Sequence, residues 1–270
     1  MTCRLLQVSR SGYYAWCTRE DSARVKQDRE LKLKVRQLHQ ESGGVYGARK
    51  IHHDLIDMGE LCGRHKVARL MREAGLKGCP KRRFRYRRGD KANYPVAENL
   101  LQQDFGASKP NERWSSDITF IWTRQGWLYL AVVMDLYSRR IIGWSMDGRI
   151  SRHLVVDALI MALEYRCPEG PLVLHSDRGA QYTSDDYRDL LLKHGIDCSM
   201  SARGNCYDNA VVESFFASLK RERTKRRVYQ SRDEARADVF DYIECFYNRK
   251  RRHCYLDCHH RSKTPPNPPV

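Results

Sequence analysis

The chain has no apolar run near the roughly 18 residues that a membrane-crossing helix needs, and no Cys-x-x-Cys pair among its ten cysteines. It also has too few acidic residues to balance its basic ones. The first absence argues against a helical membrane span, and with no signal-peptide pattern at the start the expected location is the cytoplasm, with no membrane partner. The cysteines, at positions 3, 17, 62, 79, 167, 198, 206, 245, 254 and 258, follow no regular framework. They are expected to be reduced thiols that pack as small apolar side chains. His253-Cys254 and Cys258-His259-His260 offer zinc-type donors, but without the two-pair spacing of structural zinc sites. Ser176 and Ser214 stand beside acids with no paired base, so a nucleophilic triad is not indicated.

The acidic deficit leaves a net charge of +16, from 49 Lys/Arg against 33 Asp/Glu. It is uneven: residues 1–91 hold 23 basic and 10 acidic side chains, whereas residues 92–270 hold 26 and 23. A clustered excess suits a polyanion, because each neutralised phosphate releases a condensed counterion. The basic third is expected to hold DNA.

At 270 residues the chain is long enough for two domains with connecting segments. Residues 1–27 read as an opening helical segment. Residues 28–80 read as a helix-turn-helix-like region, with Leu31, Val35 and Leu38 on one helix, Ile51, Leu55 and Ile56 on the next, a break at Met58-Gly59, and a last helix from Arg64 to Glu73. That last helix places Arg64, Lys66, Arg69 and Arg72 on polar sides and Val67, Leu70 and Met71 inward, as a groove-contacting helix requires. An ordinary amphipathic hairpin with solvated charges is the alternative. Residues 81–110 read as a basic linker, in which Lys81-Arg82-Arg83-Phe-Arg85-Tyr-Arg-Arg88 interleaves cations with aromatics and can track phosphates.

From residue 111 the period changes. Strands are expected over Asp117–Trp122, Leu128–Asp135 and Arg140–Met146, then a helix over Arg152–Tyr165, a strand over Leu172–Ser176, a helix over Asp185–His194, a strand over Ile196–Met200, and helices over Asn209–Arg226 and Asp233–Tyr247. This βββαβαβα order implies an α/β domain over 111–253 with a mixed sheet whose first and fourth strands are neighbours. Asp117 lies on the first strand, Asp177 ends the fourth, and Glu213 enters from the following helix. Three carboxylates so placed can hold two divalent metals against a scissile phosphate. Lys220 lies two helical turns after Glu213 on the same face and extends a positive ridge. Asp135 is expected to support the acids and Asp208 to cap the helix that carries Glu213.

Together these segments resemble the insertion-sequence transposases whose second reading frame encodes a core related to retroviral integrases. The likeness is carried by Ser-Arg-Ser-Gly-Tyr-Tyr-Ala-Trp16, Tyr46-Gly47, His65-Lys-Val-Ala-Arg-Leu-Met-Arg72, Asp117-Ile-Thr, Trp127-Leu-Tyr-Leu-Ala-Val-Val-Met-Asp135, His175-Ser-Asp-Arg-Gly179, Gly204-Asn205, Asp208-Asn-Ala, Glu213-Ser-Phe-Phe and Tyr247-Asn248. It implies an RNase H-like core, with Asp117, Asp177 and Glu213 as the catalytic, metal-holding acids and Lys220 as the basic residue that follows them. It also implies Mg²⁺ as cofactor, two ions with Mn²⁺ as the alternative, and cutting of element ends followed by joining of the freed 3′-hydroxyls to target DNA. Double-stranded DNA, a homo-multimer on that DNA, and an upstream-frame protein joined by ribosomal frameshifting are the implied partners.

One departure stands out. After His253 the family usually continues with Ser, Leu-Gly-Tyr and Ser-Pro, whereas this chain reads Cys254-Tyr-Leu-Asp-Cys-His-His and then Lys-Thr-Pro-Pro-Asn-Pro-Pro-Val270. A reading-frame shift produces such a change, and residues 254–270 are expected to form a disordered tail, foreign to the fold from about 257. Two other functions therefore stay open on the sequence: a DNA-binding regulator or inactive remnant, and a nuclease that cuts without joining.

Overall fold

The computed structural model describes residues 8–80, 107–177, 179–200 and 209–253. They fall into two compact units that divide at Pro80. In the first, serines set the helix starts. Helix α1 (Arg10–Thr18) follows Ser9, whose hydroxyl accepts from the Gly12 N–H, and α2 (Ala23–Glu41) follows Ser22, which accepts from the Val25 N–H. Helix α2 thus runs through the expected division at residue 27. Two shorter helices complete the unit, α3 (Ala48–Asp57) and α4 (Arg64–Glu73), the last with the bounds its apolar spacing predicts. Leu31, Val35, Ile51, Leu55, Val67, Leu70 and Met71 form the core. Ile56, read as inward, is exposed. Ile51 and Leu55 share a face at i, i+4, and the next residue turns about 100° away from it.

In the second unit, β1 (Arg113–Thr123), β2 (Gly126–Asp135) and β3 (Ile141–Asp147) form an antiparallel meander. Helix α5 (Arg152–Arg166) then leads to β4 (Leu172–Ser176), and α6 (Asp185–Lys193) leads to β5 (Ile196–Met200). The sheet order is β3-β2-β1-β4-β5, with β4 parallel to both β1 and β5. This is the expected mixed βββαβαβα sheet, with the first and fourth strands adjacent. Strand β1 begins earlier than its own alternation predicts, because Arg113–Ser115 pair with Val173–His175, a partner far away in sequence.

Trp114, Ala131, Val133 and Ile142 on the sheet pack with Val155, Ala158, Leu159 and Ala162 of α5 to form the core. Small residues set the spacing of that contact: a Cβ on Gly143 would stand 2.1 Å from the Ala158 carbonyl oxygen. The closing helices depart from the regular form expected. Helix α7 (Ala210–Leu219) widens into a π-helical stretch over Lys220–Thr224, and α8 (Arg232–Phe240) does so over Asp241–Tyr247. The wider turn brings Glu222 inward. There its carboxylate accepts from Arg251 at 2.7 and 2.8 Å and from the Tyr242 hydroxyl at 2.8 Å.

Of the described cysteines only Cys198, on β5, packs against the core of the second unit, and none is fully buried. Cys17, Cys167 and Cys245 are exposed and Cys62, Cys79 and Cys198 half-buried, none of them in a disulfide. Most sit at helix ends or between helices, where side chains turn outward. No described helix is long and apolar enough to cross a membrane.

Replacing Gly143 with Ala is expected to force α5 off the sheet and destabilise the protein by about 1–3 kcal/mol, as overpacking of a filled core does. Gly170→Ala, where a Cβ meets nothing within 4 Å, is expected to stay within about 0.5 kcal/mol of the parent. Denaturant unfolding of the two variants checks this.

Candidate active site

The geometry begins with the pairing of β1 and β4. Ser115 lies opposite His175 in the last parallel pair of that ladder. Asp117 and Asp177 each lie two residues further on, so a continued register would put them side by side. Side chains two apart on a strand point to the same face. Asp177 falls just past the end of β4, where its Oδ1 accepts from the Gly179 N–H at 2.9 Å. Gly179 is needed for that approach, since a Cβ there would lie 3.0 Å from the same carboxylate oxygen and 2.7 Å from Gln181 Oε1.

Glu213 sits in the first turn of α7. Asn209, the N-cap residue of that helix, makes no side-chain capping bond. Its amide turns to β1 instead: Oδ1 accepts from the Ser115 hydroxyl at 2.5 Å and Nδ2 donates to the Ser116 carbonyl at 3.2 Å. The helix with the third acid is therefore tied to the strand with the first, within two residues of Asp117. Sequence reading quoted Asn209 within a motif but gave it no role. Its signal is only a buried amide one helical turn before an acid. The expected cap, Asp208, lies outside the described residues.

Asp117 feels the other two carboxyls. Burial pushes Asp117 up to about 7, and the charges of Asp177 and Glu213 act in the same direction, while the Ile118 N–H and Lys220 oppose them. Burial also raises Asp177 and Glu213. Lys220 follows α7 directly, with its Nζ 4.8 Å from the centre of the Phe120 ring. Burial lowers its pKa, the Lys225 charge adds to that, and Asp117 pulls the other way. These carboxyls are oxygen donors only, the type a hard divalent cation prefers, and such a cation keeps several waters and completes its shell with substrate oxygens. Among the described residues no three His, Cys, Asp or Glu side chains form a group that could by itself hold a metal ion.

Other residues take different places. Asp135, expected to support the acids, instead holds the turn after β2: it accepts from the Ser138 and Asn111 N–H groups and the Ser138 hydroxyl, and pairs with Arg166 at 3.3 Å. In the first unit Arg64 is exposed on α4. Lys66 and Arg69 both reach back to Asp28 on α2, the former at 2.8 Å, and Arg69 also pairs with Glu73 at 2.6 Å. The hydrogen bonds from Lys66 and then Arg69 hold the Asp28 carboxyl down at about 2. Arg82, Arg83 and Arg85, and the tail from residue 254, lie outside the described residues.

Residues 107–206 match the family described as Integrase core domain, residues 213–264 match a second family of that description, and residues 26–84 match the HTH-like domain family. The transposase InsF for insertion sequence IS3A of Escherichia coli (strain K12) is 46% identical over 255 residues, which cover 94% of this chain and 88% of that protein. The uncharacterized 31 kDa protein of insertion element IS600 of Shigella sonnei is 43% identical over 254 residues, covering 94% of this chain and 93% of that protein. Among solved structures, the catalytic core domain of HTLV-2 integrase in complex with magnesium (trimeric form) is similar at a TM-score of 0.45 and 15% identity, covering 58% of this chain and 98% of that one. A helix-turn-helix-like unit, an integrase core with strand order β3-β2-β1-β4-β5, and close identity over nearly the full chain converge: it belongs to the IS3-family insertion-sequence transposases.

Proposed function

We propose that this chain catalyses movement of an insertion element, cutting the element ends and transferring their 3′-hydroxyl strands to target DNA, with Asp117, Asp177 and Glu213 as the acids of the reaction. One observation supports the assignment of the acids: the charges of Asp177 and Glu213, far away in sequence, both act on the buried carboxyl of Asp117, and the β1–β4 ladder and the Asn209 link to β1 fit that reading.

In this reading Asp117, Asp177 and Glu213 hold Mg²⁺, two ions with Mn²⁺ as a substitute. When bound, the metal supplies activation of the attacking oxygen and stabilisation of the leaving one during in-line displacement. The chain's own groups do the rest. Asp117 and Asp177 fix the floor of the site from the sheet, Glu213 closes it from α7, and Lys220 offers a cation to phosphate beside them. Asn209 keeps α7 at its working distance from β1. Residues 111–253 form the catalytic core in this account, with 28–80 and the basic stretch 81–110 as the DNA-holding parts. Arg64 is free to meet phosphate, whereas Lys66 and Arg69 must leave Asp28 or share it. Arg82, Arg83 and Arg85 contribute through the basic stretch. The acting species is a homo-multimer on element ends and target.

The test is cleavage and joining of a labelled duplex that bears the element's terminal repeat, with Mg²⁺ present. Glu213→Gln and Asp117→Asn are each expected to lose joined product by at least about 100-fold while still binding DNA. Binding by all three proteins with no reaction from any would instead make this chain a binding module on its own. Cleavage without joining would make it a nuclease.

Asn209→Ala is expected to cut the joining rate by about 10- to 100-fold, as loss of a group that orients site residues does, with DNA affinity at the parent value. Single-turnover rates alongside equilibrium binding check it.

The raised carboxyl of Asp117 also has a pH consequence. Its folded pKa of about 7 lies above the ordinary aspartate value of 3.8, so between those values the folded chain binds more protons than the unfolded one, and stability falls as pH rises through that window. In chelator-treated protein the thermal midpoint is expected to drop between pH 5 and pH 8 by more than it does in Asp117→Asn. Equal slopes for the two proteins would refute the shift.

A further inference from the structure

Strand β1 passes beyond its pairing with β4 and carries aromatic rings into solvent. Phe120 and Trp122 are 53% and 55% exposed on one face, and Trp127, opposite Trp122 on β2, is 41% exposed. Their rings meet edge to face, Phe120 to Trp127 at 5.0 Å and Trp122 to Trp127 at 4.8 Å. Soluble proteins rarely leave large rings clustered in water without a use for them.

Two cations border the cluster. Lys220 Nζ lies over the Phe120 ring, and Arg232 donates from Nε to the Trp127 carbonyl at 3.1 Å. Flat rings bordered by cations suit a ligand with flat apolar faces and a negatively charged backbone. A duplex hides its base faces within its own stack, so the ligand that fits is an unpaired strand.

The cluster lies on the same strand as the first acid. Phe120 is three residues beyond Asp117 on the same strand, about 10 Å at strand rise. Asp117 and Phe120 point to opposite faces of the sheet, but Lys220 is shared by both, lying over Phe120 while its charge is felt at Asp117. A strand that leaves the acids past Lys220 meets the rings next.

We propose that Phe120, Trp122 and Trp127, with Lys220 and Arg232 at their border, form a stacking platform for unpaired nucleotides at the DNA end being processed. This rests on the transposase reading and deepens it, naming frayed or single-stranded ends as the form of DNA that the core grips.

The experiment measures equilibrium binding of the full chain, without divalent metal, to a blunt duplex and to the same duplex with a short unpaired tail that carries a fluorescent adenine analogue. The parent protein is expected to bind the tailed duplex at least about fivefold more tightly and to quench the analogue by stacking. Phe120→Ala and Trp122→Ala are expected to lose both effects while binding the blunt duplex as the parent does. Trp122→Tyr, which keeps a ring, is expected to retain them. Equal binding of tailed and blunt duplexes by the parent overturns the proposal. So does a tail preference that survives both alanine variants while sedimentation shows reduced self-association, which would make the face a contact between copies of this chain. Because no metal is present, these outcomes do not depend on catalysis. A tail preference found together with a failure of the joining assay supports the platform and counts only against the acids.

Discussion

A parallel ladder three residues long sets the geometry on which the candidate site depends. Arg113–Ser115 and Val173–His175 pair in one register, which, if continued, would set the two aspartates beyond it side by side. Were β4 displaced by one residue, alternation would turn one carboxylate to the opposite face. Parallel pairing needs a crossover, and here α5 supplies it, packed against the sheet at Gly143, where a Cβ would stand 2.1 Å from the Ala158 carbonyl oxygen.

The third acid is held from both ends of its helix. Asn209 fastens the start of α7 to β1, and Glu222 anchors the stretch beyond its end to Arg251 and Tyr242. Glu222 is 3% exposed. A carboxylate so deeply buried is retained only with a full set of donors, and Arg251, Arg221 and the Tyr242 hydroxyl supply them. The π-helical turn admits that arrangement, since an ordinary turn would carry residue 222 about 100° per step around the axis and away from its partners. The segment at Arg251 is thereby part of the support for α7.

Much of this could be read from the sequence, and what could not has a common cause. Strand and helix periods located the elements of the core, and Asp117, Asp177 and Glu213 stood out because each lies in a polar motif beside an apolar run. The α4 helix was legible to the residue, since its apolar positions repeat cleanly. Partners distant in sequence were not. Nothing local to Lys66 or Arg69 indicates that Asp28 neutralises them across two helices. Nothing local to Asp135 separates a group that supports catalysis from one that holds a turn. Asn209 was visible as part of a motif, yet its bonds to Ser115 and Ser116 span more than ninety residues. Ile56 failed for the opposite reason: it is apolar, and only its angle around the helix excludes it from the core.

The outer edge of β1 carries one more consequence. Beyond Ser115 no described strand pairs with that side until Tyr229 bridges to Thr123 at the far end. An open strand edge is a template on which another chain can add as a further strand, and proteins commonly guard such edges with charge. Here part of the cover comes from α7, whose Asn209 takes the Ser116 carbonyl that an added strand would need. The amide that ties the helix to the sheet therefore also closes a stretch of edge on which another chain could build, and a sequence that lost it would leave that carbonyl open to edge-to-edge pairing.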